Sequence, residues 1–163
     1  MKVNNMKTKF VLLAAIAAAL TASPVFAATE SAATKWANEC GGCHVAYPAK
    51  FLPAATWTKI MSGLDKHFGS DASLDAQTSK AISGYLATNA GSGKHGESPA
   101  SLRISDTRWF QREHSEEMDP SIFKSPLVKS VANCGACHLG VAKGDYSERN
   151  IRIPGQGNRR NDD

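Results

Sequence analysis

Two short motifs carry the residues in this chain that are best suited to chemistry. Residues 39–44 read ECGGCH and residues 133–138 read NCGACH, so each holds two cysteines three positions apart, followed directly by a histidine. Cysteine and histidine bind zinc, a CxxC pair can act as a redox dithiol, and the order CxxCH permits covalent attachment of haem. The motifs therefore pose a choice among three kinds of site.

The use of the cysteines favours haem. All four lie inside the motifs: Cys40, Cys43, Cys134 and Cys137. Two pairs about ninety residues apart are too widely spaced for a zinc ribbon, and a thioredoxin-like dithiol would need a βαβ unit that the sequence does not indicate. Neither explains the histidines. In a c-type site the cysteines form thioethers and the next residue lies under the iron. We therefore predict two haem c groups, with His44 and His138 as proximal ligands.

The sixth ligand on each iron decides the function. A position filled by a side chain suits electron transfer, and an open position permits gas binding or catalysis. A second histidine leaves the potential lower than a methionine does. The candidates outside the motifs are few: His67, His95, His114, Met61 and Met118. Met61 is more simply a core residue and Met118 an exposed one.

His67 follows a segment with helical periodicity. The large apolar residues of TWTKIMSGLDKHFG recur at helical spacing: Trp57, Ile60, Met61, Leu64 and Phe68. The pattern predicts a helix over 56–68 with Thr56 as N-cap, and it places His67 on the apolar stripe. We interpret His67 as the distal ligand of the first haem. The alternative is a buried histidine that is hydrogen-bonded within the core.

His114 ends the segment DTRWFQREH, which predicts a helix over 106–116. Ser105 or Asp106 would cap it, and Phe110 would share a face with His114 because the two are four residues apart. We interpret His114 as the distal ligand of the second haem. A surface histidine is the alternative.

His95 lies in residues 89–101, which are rich in glycine and serine and predict a loop. A flexible loop is a poor place to fix a metal ligand. We therefore expect His95 to face solvent, and it is the reserve candidate if His114 is not a ligand.

The spacing of the histidines favours one pairing. His67 follows His44 by 23 residues, while His114 precedes His138 by 24 residues. This favours pairing each motif with the distal candidate of its own half. A crossed arrangement stays open at this point.

The elements that must position these residues are helices. We predict an all-α or mainly α protein with long loops and further helices over 31–39, over 74–88 with Asp71 or Ser73 as cap, and from Ser125–Pro126 into the second motif. The polar tail 141–163 should wrap the surface. We expect an N-terminal haem domain (28–90), a linker (91–101) and a C-terminal haem domain with the tail (102–163). Halves this small need a staple, which the haem would supply.

The N-terminus has the layout of a secretory signal peptide. A basic start precedes the apolar run 10–20, which is too short to span a bilayer, and small residues lead to a cleavage site after Ala27. We therefore expect residues 1–27 to be removed and the protein to be periplasmic and monomeric. The net charge of the remaining chain is 16 − 15 = +1, since residues 1–27 hold three of the 19 basic residues and no acidic ones. That charge excludes the basic footprint of a nucleic-acid-binding protein.

From about Trp36 to Pro154 the sequence resembles the bacterial dihaem cytochrome c family. The resemblance rests on ECGGCH, LPAATWTKIMSGLDKHFGSDASLD, SLRISDTRWFQREH and NCGACH. It implies two low-spin haems with histidine on both sides of each iron, the distal ligands being His67 and His114. It also implies electron transfer, with a membrane-bound cytochrome b and an oxygen-binding monohaem cytochrome as typical partners.

We therefore expect an electron-transfer protein rather than an enzyme. A peroxidase-like haem enzyme is the alternative, with an open iron and carboxylates from the acidic run Glu113, Glu116, Glu117 and Asp119. A gas-binding haem protein would need only one open iron. A tandem carrier with His/Met haems would need a methionine after each motif, and none follows His138.

Overall fold

The described part of the chain is built from four helices joined by loops and 3-10 turns. The computed structural model describes residues 29–115 and 118–156. The helices are α1 (Ala32–Gly41), α2 (Ala54–Met61), α3 (Ala76–Thr88) and α4 (Arg108–Ser115). Within those ranges the only β-type pairing is two isolated bridges. The predicted mainly α class is confirmed. The proposed signal peptide and residues 157–163 of the predicted tail lie outside the described residues.

The first apolar cluster lies among α1, α2 and α3. Ile82 and Leu86 of α3 are almost completely buried, as the helical periodicity of 74–88 predicts. The cap differs from the prediction: the Asp75 carboxylate accepts hydrogen bonds from the amides of Gln77 and Thr78. Asp71 instead accepts from the amide of Ser73 in a turn of its own. The helix therefore begins at Ala76, two residues later than the apolar pattern suggests.

The predicted helix over 56–68 is shorter and begins earlier. It starts after Pro53, which has an extended backbone, and it ends at Met61. A separate 3-10 turn, Leu64–Lys66, then leads to His67. The prediction of one continuous helix was wrong because the chain turns back at this point, so that the amide of Ala72 bonds to the Leu64 carbonyl at 2.8 Å.

The cap of α4 also differs from the prediction. Residues Ile104–Asp106 form a 3-10 turn, so neither Ser105 nor Asp106 caps the helix. The buried Thr107 takes that place, because its hydroxyl accepts a hydrogen bond from the amide of Phe110 at 3.3 Å. The helix itself occupies Arg108–Ser115.

The predicted helix from Ser125–Pro126 into the second motif is wrong. The carbonyl of Ser125 accepts hydrogen bonds from the amides of Val128 and Lys129, which closes a single turn. Lys129, however, has a left-handed backbone with φ 67°. A helix cannot continue through a residue in that conformation. The side-chain amide of Asn133 then donates to the Val128 carbonyl at 3.0 Å, which gives that carbonyl a partner without a helix.

A second, aromatic cluster lies beside α4. Phe51, Trp109 and Phe110 are buried there, and Ile104, Val131 and Tyr146 pack against them. Phe51 comes from the first half of the chain, so the two halves meet at this cluster.

None of the helices in residues 29–115 and 118–156 combines the length and the apolar character that crossing a bilayer requires.

Candidate haem sites

The first motif stands at the end of α1. Cys40 lies in the last turn of the helix, and the exposed Cys43 and His44 follow it. The Nδ1 atom of His44 lies 2.8 Å from the carbonyl oxygen of Val45. Since a carbonyl only accepts, Nδ1 carries the proton and donates. The Nε2 atom then keeps its lone pair for a metal, as is usual for ligating histidines.

His67 lies opposite His44. The centres of the two imidazole rings are 6.3 Å apart and their planes differ by 24°. Two imidazoles that share one metal need about the same separation, because each metal–nitrogen bond is about 2.0–2.1 Å and each ring centre lies roughly 1.1 Å beyond its nitrogen. The pair therefore fits an iron between the rings. Ligation itself stays a prediction.

A tight turn presents the His67 side chain. Phe68 and Gly69 have φ values of 49° and 100°, and the amide of Ser70 donates to the His67 carbonyl at 3.0 Å. Positive φ at both central positions is typical of a type I′ turn. The Arg103 guanidinium covers the Phe68 ring at 4.3 Å. Burial lowers the pKa of His67, and His44 and Arg103 lower it further, which favours the neutral imidazole that binds metal.

The second motif is a compact turn fixed by the tail. Cys134–Ala136 form a 3-10 turn, and the amide of His138 donates to the Cys134 carbonyl at 2.8 Å. The amide of Arg152 donates to the Cys137 carbonyl at 2.9 Å, so the predicted polar tail is pinned to the motif rather than only wrapped over the surface.

His114 lies opposite His138. The ring centres are 6.1 Å apart, close to the separation in the first pair, but the planes differ by 62°. The Nδ1 atom of His114 donates to the Phe110 carbonyl at 2.8 Å, which again leaves Nε2 free for a metal. The Phe110 ring stacks on the His114 ring at 3.9 Å, the shared face that the sequence predicts.

His138 is less exposed to solvent than His44, the histidine of the first motif. Its Nδ1 atom is buried and has no hydrogen-bond partner among the described residues. Burial lowers its pKa, and nearby His114 lowers it further.

His95 is half-buried, which corrects the expectation that it faces solvent. Its ring lies 4.4 Å from the Trp109 ring and 6.0 Å from the Phe51 ring. The side-chain atoms Nδ1 of His95 and Nε1 of Trp109 are both buried without a partner in the described ranges. The glycine and serine content of residues 89–101 predicts a loop, but it does not show which aromatic side chains contact His95.

Met61, Glu113 and Asp119 have contacts or partners away from the histidine pairs. Met61 packs against the first apolar cluster, and Met118 is half-buried rather than exposed. Glu113 pairs with Arg112 and Lys94. Asp119 accepts a hydrogen bond from the amide of Ser121. The other two acidic residues, Glu116 and Glu117, are not among the described residues.

The first cysteine of each motif has the environment of an inert rather than a reactive thiol. Burial raises the pKa of Cys40, and the charge of Glu39 raises it further. Burial likewise raises the pKa of Cys134. Reactive dithiols depend on a lowered thiol pKa, so this setting suits attachment to a cofactor better than disulfide exchange.

Two CxxCH turns on a small helical scaffold, each with a second imidazole at the distance of a shared metal, define a c-type cytochrome with two haem sites. Comparison with known proteins agrees. A family model described as dihaem cytochrome c matches residues 36–146. No curated protein matches the chain.

Solved structures of two organisms are similar to this chain. The new dihaem cytochrome type c from Shewanella baltica OS155 is 36% identical, with 77% of this chain and 96% of that one covered and a TM-score of 0.66. A structure of DHC purified from Rhodobacter sphaeroides is 43% identical, with 68% and 93% covered and a TM-score of 0.59. This chain belongs to the dihaem cytochrome c family, and it carries two haem c groups, each with an iron.

Proposed function

We propose that this protein is a periplasmic electron carrier in which both irons have histidine on both sides. In the first haem site the axial ligands are His44 and His67, and in the second they are His138 and His114. The thioethers form at the two cysteines of each motif. Membership of the dihaem cytochrome c family supports electron transfer as the general function. The ligands, the low potentials and the compartment are the finer parts of the proposal.

The observation that carries the proposal is the matched geometry of the two histidine pairs. The ring centres are 6.3 Å and 6.1 Å apart in sites that share no residues. In each site one histidine also donates its Nδ1 proton to a backbone carbonyl, which orients Nε2 for a metal. One such pair is a common contact, but two pairs at the same separation, each beside a CxxCH motif, favour ligation.

Filled axial positions favour electron transfer over catalysis. The haem supplies the one-electron change when it is bound, and the chain contributes ligation, burial and orientation. Histidine on both sides leaves the potential lower than a His/Met pair does. The carboxylate of Glu113, the residue before His114, is paired with Arg112 at 3.1 Å.

We infer export from residues 1–27, whose basic start and apolar run have the layout of a signal peptide. The expected redox partners are a membrane-bound cytochrome b and an oxygen-binding monohaem cytochrome, both suggested only by the family resemblance. Such encounters are transient and use small contact areas.

The deciding experiment is low-temperature electron paramagnetic resonance of the oxidised holoprotein, together with carbon monoxide addition to the reduced form. We expect two low-spin signals and no spectral change with carbon monoxide. A redox titration should place both midpoint potentials below those of His/Met cytochromes c. A high-spin signal, or a haem that binds carbon monoxide, would overturn the proposal and favour an enzyme or a gas-binding protein.

A further inference from the structure

The segment that follows the first motif reaches the second haem site. Tyr47 lies three residues after His44, and its hydroxyl donates to the carbonyl oxygen of Ala132 at 2.8 Å, across 85 residues of sequence. Phe51, slightly further on, packs against Trp109 and Tyr146 of the aromatic cluster. The two haem sites therefore meet along a few residues directly after the first CxxCH.

The Ala132 carbonyl belongs to the turn that presents the second motif. It lies two residues before Cys134, whose Sγ atom is 3.7 Å from the same oxygen. Thioether formation removes the thiol proton of Cys134, so that sulfur no longer donates once haem is attached. Among the described residues, Tyr47 is then the side chain that donates to this carbonyl.

The ring of Tyr47 also contacts the first site directly. It stacks on the His44 imidazole with ring centres 4.7 Å apart and planes 21° apart. The His44 ring is thus held from two directions, by the flat phenol and by its own bond to the Val45 carbonyl. A change in the Tyr47 position would rotate the His44 plane.

We propose that Tyr47 is a positioning residue that couples the two haem sites. Its ring sets the plane of His44, and its hydroxyl holds the turn of Cys134. One side chain then contributes to the placement of both haems. The inference deepens the proposed function and rests on it only for the role of His44 as a ligand. The bond to Ala132 stands independently of that role.

Phe51 is a weaker candidate for the same role. It crosses between the halves, but its contacts are with aromatic side chains of the cluster rather than with the backbone of a motif. Tyr146 contacts His138 at 5.4 Å between ring centres, but its buried hydroxyl has no partner within the described ranges. Tyr47 combines a ring on one motif with a hydrogen bond to the turn of the other.

The test uses Tyr47→Phe and Tyr47→Leu in the holoprotein. The phenylalanine variant keeps the ring on His44 and loses only the bond to Ala132. We expect amide hydrogen exchange at Ala136, Cys137 and His138 to become roughly twofold to tenfold faster, since that is the range a single net hydrogen bond accounts for. The low-spin signal of the second haem should shift while that of the first stays in place. Tyr47→Leu should shift both signals.

Tyr85→Phe is the matched control, since the Tyr85 ring packs against Trp36 in the first cluster, with ring centres 5.2 Å apart and planes tilted by 37°. It should change neither the exchange at the second motif nor either signal. Unchanged exchange and an unchanged second-haem signal in Tyr47→Phe would overturn the proposal. In the reduced wild-type holoprotein, NMR should also show a slowly exchanging hydroxyl proton of Tyr47 close to Ala132. The absence of this signal would count against the bond.

The exchange measurement does not depend on the spin state of either iron. A high-spin wild-type protein would therefore refute the proposed function, while the exchange result would still decide the link between the sites.

Discussion

The two haem sites have nearly equal histidine separations but are built in different ways. The first motif is delivered by α1, which packs through Trp36 against α3 in the larger apolar cluster. The second motif lies on a 3-10 turn held by backbone bonds to the tail. The imidazole planes differ by 24° in the first site and 62° in the second. A site that rests on a helical core depends less on its cofactor than a site made of turns does.

The largest expected effect is on folding. Replacing both cysteines of one motif with serine, either Cys40 and Cys43 or Cys134 and Cys137, removes one haem. The chain with all four cysteines replaced should be largely unfolded. The second pair should be the more damaging, because residues 118–156 have little apolar core of their own. In the variant that lacks Cys134 and Cys137, amide hydrogen exchange should show lost protection throughout 118–156, while the amides of α3 stay protected. Equal losses in both halves for either pair would contradict the comparison.

The next effect is on coordination. His67→Ala and His114→Ala should each abolish one low-spin signal and create a haem that binds carbon monoxide, because each opens one axial position. The half-buried His95 allows a sharper test of the second site. If carbon monoxide binds to His67→Ala but not to His114→Ala, another side chain has filled the axial position of the second iron. The double variant His114→Ala/His95→Ala would then show whether His95 is that ligand.

A smaller effect distinguishes the tryptophans of the two clusters. The buried Nε1 of Trp57 donates to the Ala49 carbonyl at 2.7 Å, while the buried Nε1 of Trp109 has no partner among the described residues. Trp57→Phe should lower the free energy of unfolding by about 1–3 kcal/mol, the cost of leaving a buried acceptor unpaired. Trp109→Phe should lower the free energy of unfolding by less, because no hydrogen bond to a described residue is lost. Chemical denaturation of both holoproteins measures the difference, and an equal or larger loss for Trp109→Phe would contradict the prediction.

The smallest effect concerns acid stability in the first half. Hydrogen bonds from Thr78 and then Gln77 lower the pKa of Asp75 below its ordinary value. Its contribution is therefore fully present above the unfolded pKa of about 3.9 and is lost as the pH falls through the lower, folded pKa. Asp75→Asn, which keeps the size but removes this titration, should flatten the fall in melting temperature in acid. The same fall with and without the substitution would show that Asp75 does not contribute.

Where the sequence patterns were misleading, the reason is a reversal of the chain within the next few residues. The periodicity of 56–68 is real, but the bond from Ala72 to Leu64 ends the helix early and turns His67 toward the first motif. The periodicity after Ser125 is likewise interrupted, because Lys129 takes a left-handed backbone and Asn133 caps the Val128 carbonyl. In α3 the predicted apolar face is kept, since the helix packs on both α1 and α2.

The sequence by itself determined the mainly α class, the family and the two haem c groups. The haem groups follow from local chemistry, because two cysteines and a histidine within one turn are enough to define an attachment motif. The helical class follows from the apolar periodicity, and the family from the resemblance of the longer stretches around His67 and His114. Only the tertiary structure decided which histidines face each other, how far their planes tilt, and that Tyr47 reaches the turn before Cys134. These are contacts between segments far apart in the chain, and their geometry depends on how the turns and clusters pack rather than on the spacing of residues within one segment.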